Sequence, residues 1–156
     1  MRRKILIAFD DSENAMRAVS YVAETFSKNV RLTLFSVLHD TAALCDMNSP
    51  ELTPYFKSQQ HAFCVLEDKQ KELVSEAQLK AKALLMENGF GEDQIQIKSE
   101  PKKKGIARDI ANEAQLGYDL IVVGRRGISG IKEYFLGSIS QKILNLAPDA
   151  SILIVN

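Results

Sequence analysis

Gly124, Gly127 and Gly137, the last followed directly by Ser138, are the residues whose type and spacing could do chemistry. They come after the apolar run Asp119-Leu120-Ile121-Val122-Val123 and lead into a helical pattern. Glycine lets a backbone approach a bound group closely or take a positive φ. The first N–H groups of a helix have no intrahelical partner and carry the positive end of its dipole. A strand, a glycine-punctuated loop and a helix start therefore describe capture of an anion, phosphate above all, by main chain. The expected donors are the N–H groups of Ser138, Ile139 and Ser140, with the Ser138 and Ser140 hydroxyls able to add to them. Arg125 and Arg126 stand between the first two glycines, where one can clamp a phosphate bidentately or simply be solvated.

The elements that must position this loop can be read from hydrophobic periodicity. Ile5 to Phe9 is a continuous apolar run, the mark of a strand covered on both faces. Asp10 to Ser12 form its turn, with Asp10 and Glu13 at capping-box spacing, so Asp10 is a candidate N-cap as well as a ligand contact. Ala15, Ala18, Val19, Val22, Ala23 and Phe26 recur at helical spacing. Val30 to Leu38 is the second strand, and 39–58, containing Pro50 and Pro54, reads as an irregular stretch. A long helix is predicted over 59–88, with Leu66, Leu73, Ala77, Leu84 and Leu85 on its buried face and Asn88-Gly89 as its stop. A short strand at Ile95 and Ile97, a helix marked by Ile106, Ile110 and Ala114 and ended by Gly117, and a strand over 119–123 follow. A helix with Ile139, Ile143 and Leu146 inward and a closing strand Ile152 to Val155 complete the chain. The alternation calls for one α/β domain over 1–156, an open and mostly parallel sheet with helices on both faces.

Composition excludes several functions. Twenty basic and 20 acidic residues give a formal net charge of zero, against a nucleic-acid binder, which would carry a basic excess. The basic run Lys102-Lys103-Lys104, between Pro101 and Gly105, reads either as a solvated loop or as help in attracting a polyphosphate. Cys45 and Cys64 have no C-x-x-C spacing; they suit a reducing compartment and offer no disulfide framework or zinc site. No segment approaches a membrane span, so the expectation is a soluble, cytoplasmic protein. The patterns G-x4-G-K-[S/T] and G-x-G-x-x-G are both absent. No base is evident to activate water, and no catalytic residue is assigned. His39, beside Asp40 at the end of the second strand, reads as incidental, and Tyr134 and Phe135 as packing for the loop or a contact with a partner chain.

The spacing G-x2-G-x9-G-[S/T] resembles the nucleotide loop of the universal stress protein family in its ATP-binding branch. Lys4 to Phe9 with the acidic turn Asp10-Asp11-Ser12-Glu13, Gly105 opening a helix, and the closing strand extend the likeness over most of the chain. The resemblance implies a Rossmann-like five-stranded sheet of order 3-2-1-4-5, which puts Asp10 and Gly124 at a topological switch point. It implies that Ala8, Phe9, Asp10, Val37 and Val123 line the adenine and ribose end, and that Gly124, Arg125, Arg126, Gly127, Gly137, Ser138, Ile139 and Ser140 surround the ribose and phosphates. The implied ligand is ATP, or ADP or AMP, with Mg²⁺ that Asp10 reaches through water; a cyclic nucleotide is compatible with the same adenine end. The implied activity is a nucleotide-dependent regulatory module of the stress response, with an unknown protein partner. A homodimer through antiparallel pairing of strand 152–155 is also implied. The alternatives are a slow ATPase or a protein phosphorylating itself on Ser138 or Ser140, and a nucleotide-free dimeric adaptor. The family often has a proline where this chain has Asp149-Ala150-Ser151 before its last strand.

Overall fold

A computed structural model describes residues 2–125 and 137–156. Five strands, β1 (Arg3–Ala8), β2 (Val30–Leu38), β3 (Ile95–Pro101), β4 (Leu120–Gly124) and β5 (Ser151–Val155), form one sheet in the order β3-β2-β1-β4-β5. Every neighbouring pair is parallel. The helices are α1 (Glu13–Thr25), α2 (Ala42–Cys45), α3 (Pro54–Glu87), α4 (Ile106–Ala114) and α5 (Ser138–Leu146).

The apolar strands are covered on both sides because successive side chains point to opposite faces. On one face Ile5, Ile7, Leu32, Leu34 and Val122 pack against Ala18, Val19 and Val22 of α1 and Ala81 and Leu85 of α3. On the other, Leu6, Phe35, Ile121 and Val123 pack against Ala107, Ile110, Ala111 and Ala114 of α4 and Ile143 of α5. The expected strand order, and the helices on both faces, are what the structure has.

Several local expectations are corrected. The N-cap of α1 is Ser12, whose side chain accepts from the Ala15 N–H; Asp10 lies outside the helix and accepts from the Ser12 N–H at 2.9 Å. Two residues further back, Asp10 closes the preceding turn instead. The stretch 39–58 is not irregular throughout: it holds α2, and α3 already begins at Pro54, with Thr53 as N-cap accepting from the Phe56 N–H. Proline at the first helical position loses only an N–H that has no helical partner.

The buried face of α3 is confined to its C-terminal half, where Leu85 is buried as expected and Ala77 and Leu84 pack against the core. Val74, Gln78, Ala81 and Leu85 are buried, whereas Leu66 is 70% and Leu73 38% exposed. A 34-residue helix is about 50 Å long, while the nine residues of β2 span about 30 Å. The N-terminal half of α3 thus overhangs the sheet, and helical spacing there marks a face that the described residues of the sheet do not cover.

Cys45 and Cys64 form a disulfide, with Cα atoms 5.9 Å apart. The reading of two unpaired thiols is overturned, and with it the cysteine argument for a reducing compartment. The sequence separation is uninformative because the chain turns back after α2 and lays it against α3, where the Gln60 side chain donates to the Leu44 and Met47 carbonyls.

Candidate functional site

β1 and β4 are neighbours, but the chain leaves β1 for α1 on one face and reaches α5, after β4, on the other. The carboxyl ends of these strands therefore open a crevice at a switch point, where ligands of such sheets bind. Around it stand Ala8, Asp10, Val37, Val123, Gly124 and the first turn of α5.

The β4 end and α5 are held together by main chain. The Arg125 N–H donates to the Val155 carbonyl at 2.7 Å, and the Gly137 N–H donates to the Arg125 carbonyl at 2.8 Å. The Ser140 hydroxyl, 4% exposed, donates to the Gly124 carbonyl at 2.9 Å. Its proton is therefore engaged inside the protein, and Ser140 serves as a clamp, not as the free hydroxyl donor expected from sequence. Ser138 is exposed. The Gln141 N–H closes the first helical bond, to Gly137. Among the described residues the N–H groups of Ser138, Ile139 and Ser140 have no main-chain acceptor, the arrangement that receives an anion.

The glycines divide by role. A Cβ on Gly124 would lie 2.8 Å from the Asn14 carbonyl oxygen of α1, so glycine is required there by packing. Gly137 has φ −56° and ψ 146°, a conformation open to any residue; nothing in its backbone angles demands glycine. Gly127 and Arg126, with Tyr134 and Phe135, lie outside the described residues. The Arg125 guanidinium donates to the Asn156 side chain at 3.1 Å, and so is directed to the C-terminus.

The apolar candidates separate by face. Ala8, Val37 and Ile139 are partly buried against the α4/α5 cluster, and Val123 is within it. Phe9 is 4% exposed and belongs to the cluster on the opposite face; its carbonyl accepts from the Ser36 hydroxyl at 2.7 Å. Its side chain is core, and what it contributes to the crevice is the backbone course before Asp10. One Asp10 oxygen accepts from Ser12, and the second has no hydrogen-bond partner among the described residues. His39 faces Glu67 at 3.3 Å.

Some positioning residues carried no sequence signal. Gln78, buried on α3, donates to Ser36 and Ser99 at 2.8 and 3.1 Å, fixing the C-terminal parts of β2 and β3 behind the crevice. Asp109, 9% exposed, accepts from the Lys103 and Lys104 N–H groups at 2.7 and 3.1 Å. Burial pushes its carboxyl up, but hydrogen bonds from Lys103, Lys104 and Gly105 outweigh this and hold it below the ordinary value. The Lys102–Gly105 loop is thus a fixed wall beside α4.

An open, five-stranded parallel sheet of this order, with helices on both faces and a helix start at its switch point, defines a doubly wound α/β domain. The sequence pattern of the universal stress protein family matches residues 1–155, and the chain belongs to that family. It is 32% identical over 148 residues to the universal stress protein YxiE of Bacillus subtilis (strain 168), covering 94% of this chain and 95% of that one. The fold is similar to that of the protein MJ0577, with a TM-score of 0.71 at 22% identity, covering 99% and 96% of the two chains. It is also similar to a universal stress protein solved in complex with cAMP, with a TM-score of 0.57 at 20% identity and coverage of 99% and 97%.

Proposed function

We propose that this chain binds an adenine nucleotide in the crevice and acts as a nucleotide-dependent regulatory module of the stress response. The observation that carries the reading is the first turn of α5, presented at the switch point with three N–H groups that have no main-chain acceptor among the described residues. Phosphates would lie there, and the base against Ala8 and Val37, whose side chains are only partly buried. That a family member of the same fold was solved with cAMP supports the adenine end of the assignment. ATP, ADP and AMP share that end, and a main-chain cradle recognises phosphate without counting it. Mg²⁺ would ride on the phosphates and neutralise part of their charge, with the second Asp10 oxygen reaching its water shell. Among the described residues no cluster of three metal-ligating side chains stands ready for a direct site. Self-phosphorylation loses one of its two candidates, since the Ser140 hydroxyl is buried and donating; Ser138 would carry it. Homodimerisation would use β5, which lies at the sheet edge.

Calorimetric titration of nucleotide-stripped protein with Mg-ATP, AMP and cAMP tests the reading, alongside Gly137→Val. Gly137 has extended backbone angles that valine adopts readily, and the added side chain would crowd the phosphate approach. Micromolar binding by the parent, weakened at least about tenfold (about 1.4 kcal/mol) in a variant that still folds, is the expected result. A stripped parent that binds none of the three overturns the reading and leaves a nucleotide-free adaptor.

A further inference from the structure

Between the Lys102–Gly105 loop with α4 on one side and α5 on the other runs a cleft of about 550 Å³, within the range of small-molecule sites. Among the described residues its charged lining is entirely basic: Lys102, Lys104, Arg108 and Lys142. Among the described residues none of these four is in an ion pair. Lys103, between the two loop lysines, turns instead to Glu100 at 3.3 Å. In a chain of zero formal net charge, four cations gathered around one concavity repel each other and raise the local concentration of anions. Asp109 relieves this repulsion only in part: its single carboxylate charge, held on the Lys103 and Lys104 N–H groups, stands beside four cations. The same bonds hold the lysine loop in place.

The walls between the cations are apolar, with Ile106, Ile139 and Leu146 among them. An inorganic anion would leave those walls unused. A phosphate-bearing group with a flat apolar part would use both. The cleft also adjoins the crevice: Ile139 belongs to the α5 turn of the phosphate cradle, and Ile106 and Ile139 pack on the same cluster as Ala8 and Val37. We propose that the cleft is a second subsite, which takes the far nucleoside and its phosphates from a dinucleoside polyphosphate whose first nucleoside occupies the crevice. The proposal rests on the nucleotide reading above and narrows its ligand class.

The test is calorimetry with AMP, ATP and diadenosine tetraphosphate on the parent and on an Arg108→Ala/Lys142→Ala double variant. Both side chains are exposed, and an unchanged thermal midpoint confirms the fold. The expected parent binds the tetraphosphate about tenfold or more tighter than AMP. In the variant the tetraphosphate loses about tenfold, while AMP stays within about twofold and ATP loses clearly less than the tetraphosphate. Equal parent affinities for AMP and the tetraphosphate overturn the second subsite while leaving the nucleotide reading intact. Equal losses for ATP and the tetraphosphate also overturn it, since they show only a diffuse charge effect. Binding of none of the three removes both readings together.

Discussion

At the scale of single residues, glycines that look alike in sequence do different work. Gly124 is wedged against the backbone of Asn14, 2.8 Å from where its Cβ would be. Gly124→Ala should therefore cost about 1–3 kcal/mol of stability by overpacking, visible as a lower thermal midpoint with or without nucleotide. An unchanged midpoint would show that α1 can yield. Gly124 is consequently a poor reporter of binding, and Gly137 a better one. Asp109 makes a prediction about pH. Its folded carboxyl is held below 3.8, the ordinary value, so the stability it contributes is fully present above that pH. That contribution is lost as pH falls through the lower folded value. Asp109→Ala should cost about 1–3 kcal/mol at neutral pH by leaving the Lys103 and Lys104 N–H groups unpaired. The gap between parent and variant should narrow in acid below pH 3.8, as followed by urea unfolding. A gap constant down to pH 2 would remove the charged carboxylate from the account.

At the scale of elements, α3 is two helices in energetic terms. Its C-terminal half lies on the sheet with Leu85 fully buried, while its N-terminal half projects with Leu66 70% exposed. Leu85→Ala should cost about 2–5 kcal/mol and Leu66→Ala within about 0.5, measured by denaturant titration. A comparable cost at Leu66 would mean that something covers the overhang in solution. The disulfide between Cys45 and Cys64 belongs to this same projecting part. Together with the Lys71 contact to Thr41 and the Gln70 contact to Asp11, it ties the chain after β2 to α3 and α3 to the acidic turn after β1.

At the scale of the whole molecule, the free edge of β5 is the exposed consequence of the strand order. Val155 offers its carbonyl to Arg125, so by the alternation of a strand the Ile154 N–H points away from β4, toward the free edge. An edge of unpaired N–H and C=O groups is a template for another chain. If the proposed homodimer forms there, Ile154→Pro removes an edge donor and spares the β4 ladder. The expected outcome in light scattering is a folded monomer from a dimeric parent. A dimer that persists places the interface elsewhere.

The sequence by itself determined the alternation of strands and helices, because burial on two faces writes continuous apolar runs into the strands and a 3.6-residue period into the helices. It also marked the helix start at the switch point, because that feature is local: a strand end, a glycine and the first turn of α5. Through likeness to a family it supplied the strand order. Only the tertiary structure decided what depends on distant segments meeting. Leu66 has the helical spacing of a core residue, yet it is 70% exposed, since helix length and strand length are set independently. Cys45 and Cys64 pair because the chain reverses between them. Ser140 gives its proton to Gly124, and Asp109 gathers the lysine loop, through contacts that no periodicity records. Spacing encodes what a segment presents; packing decides what it meets.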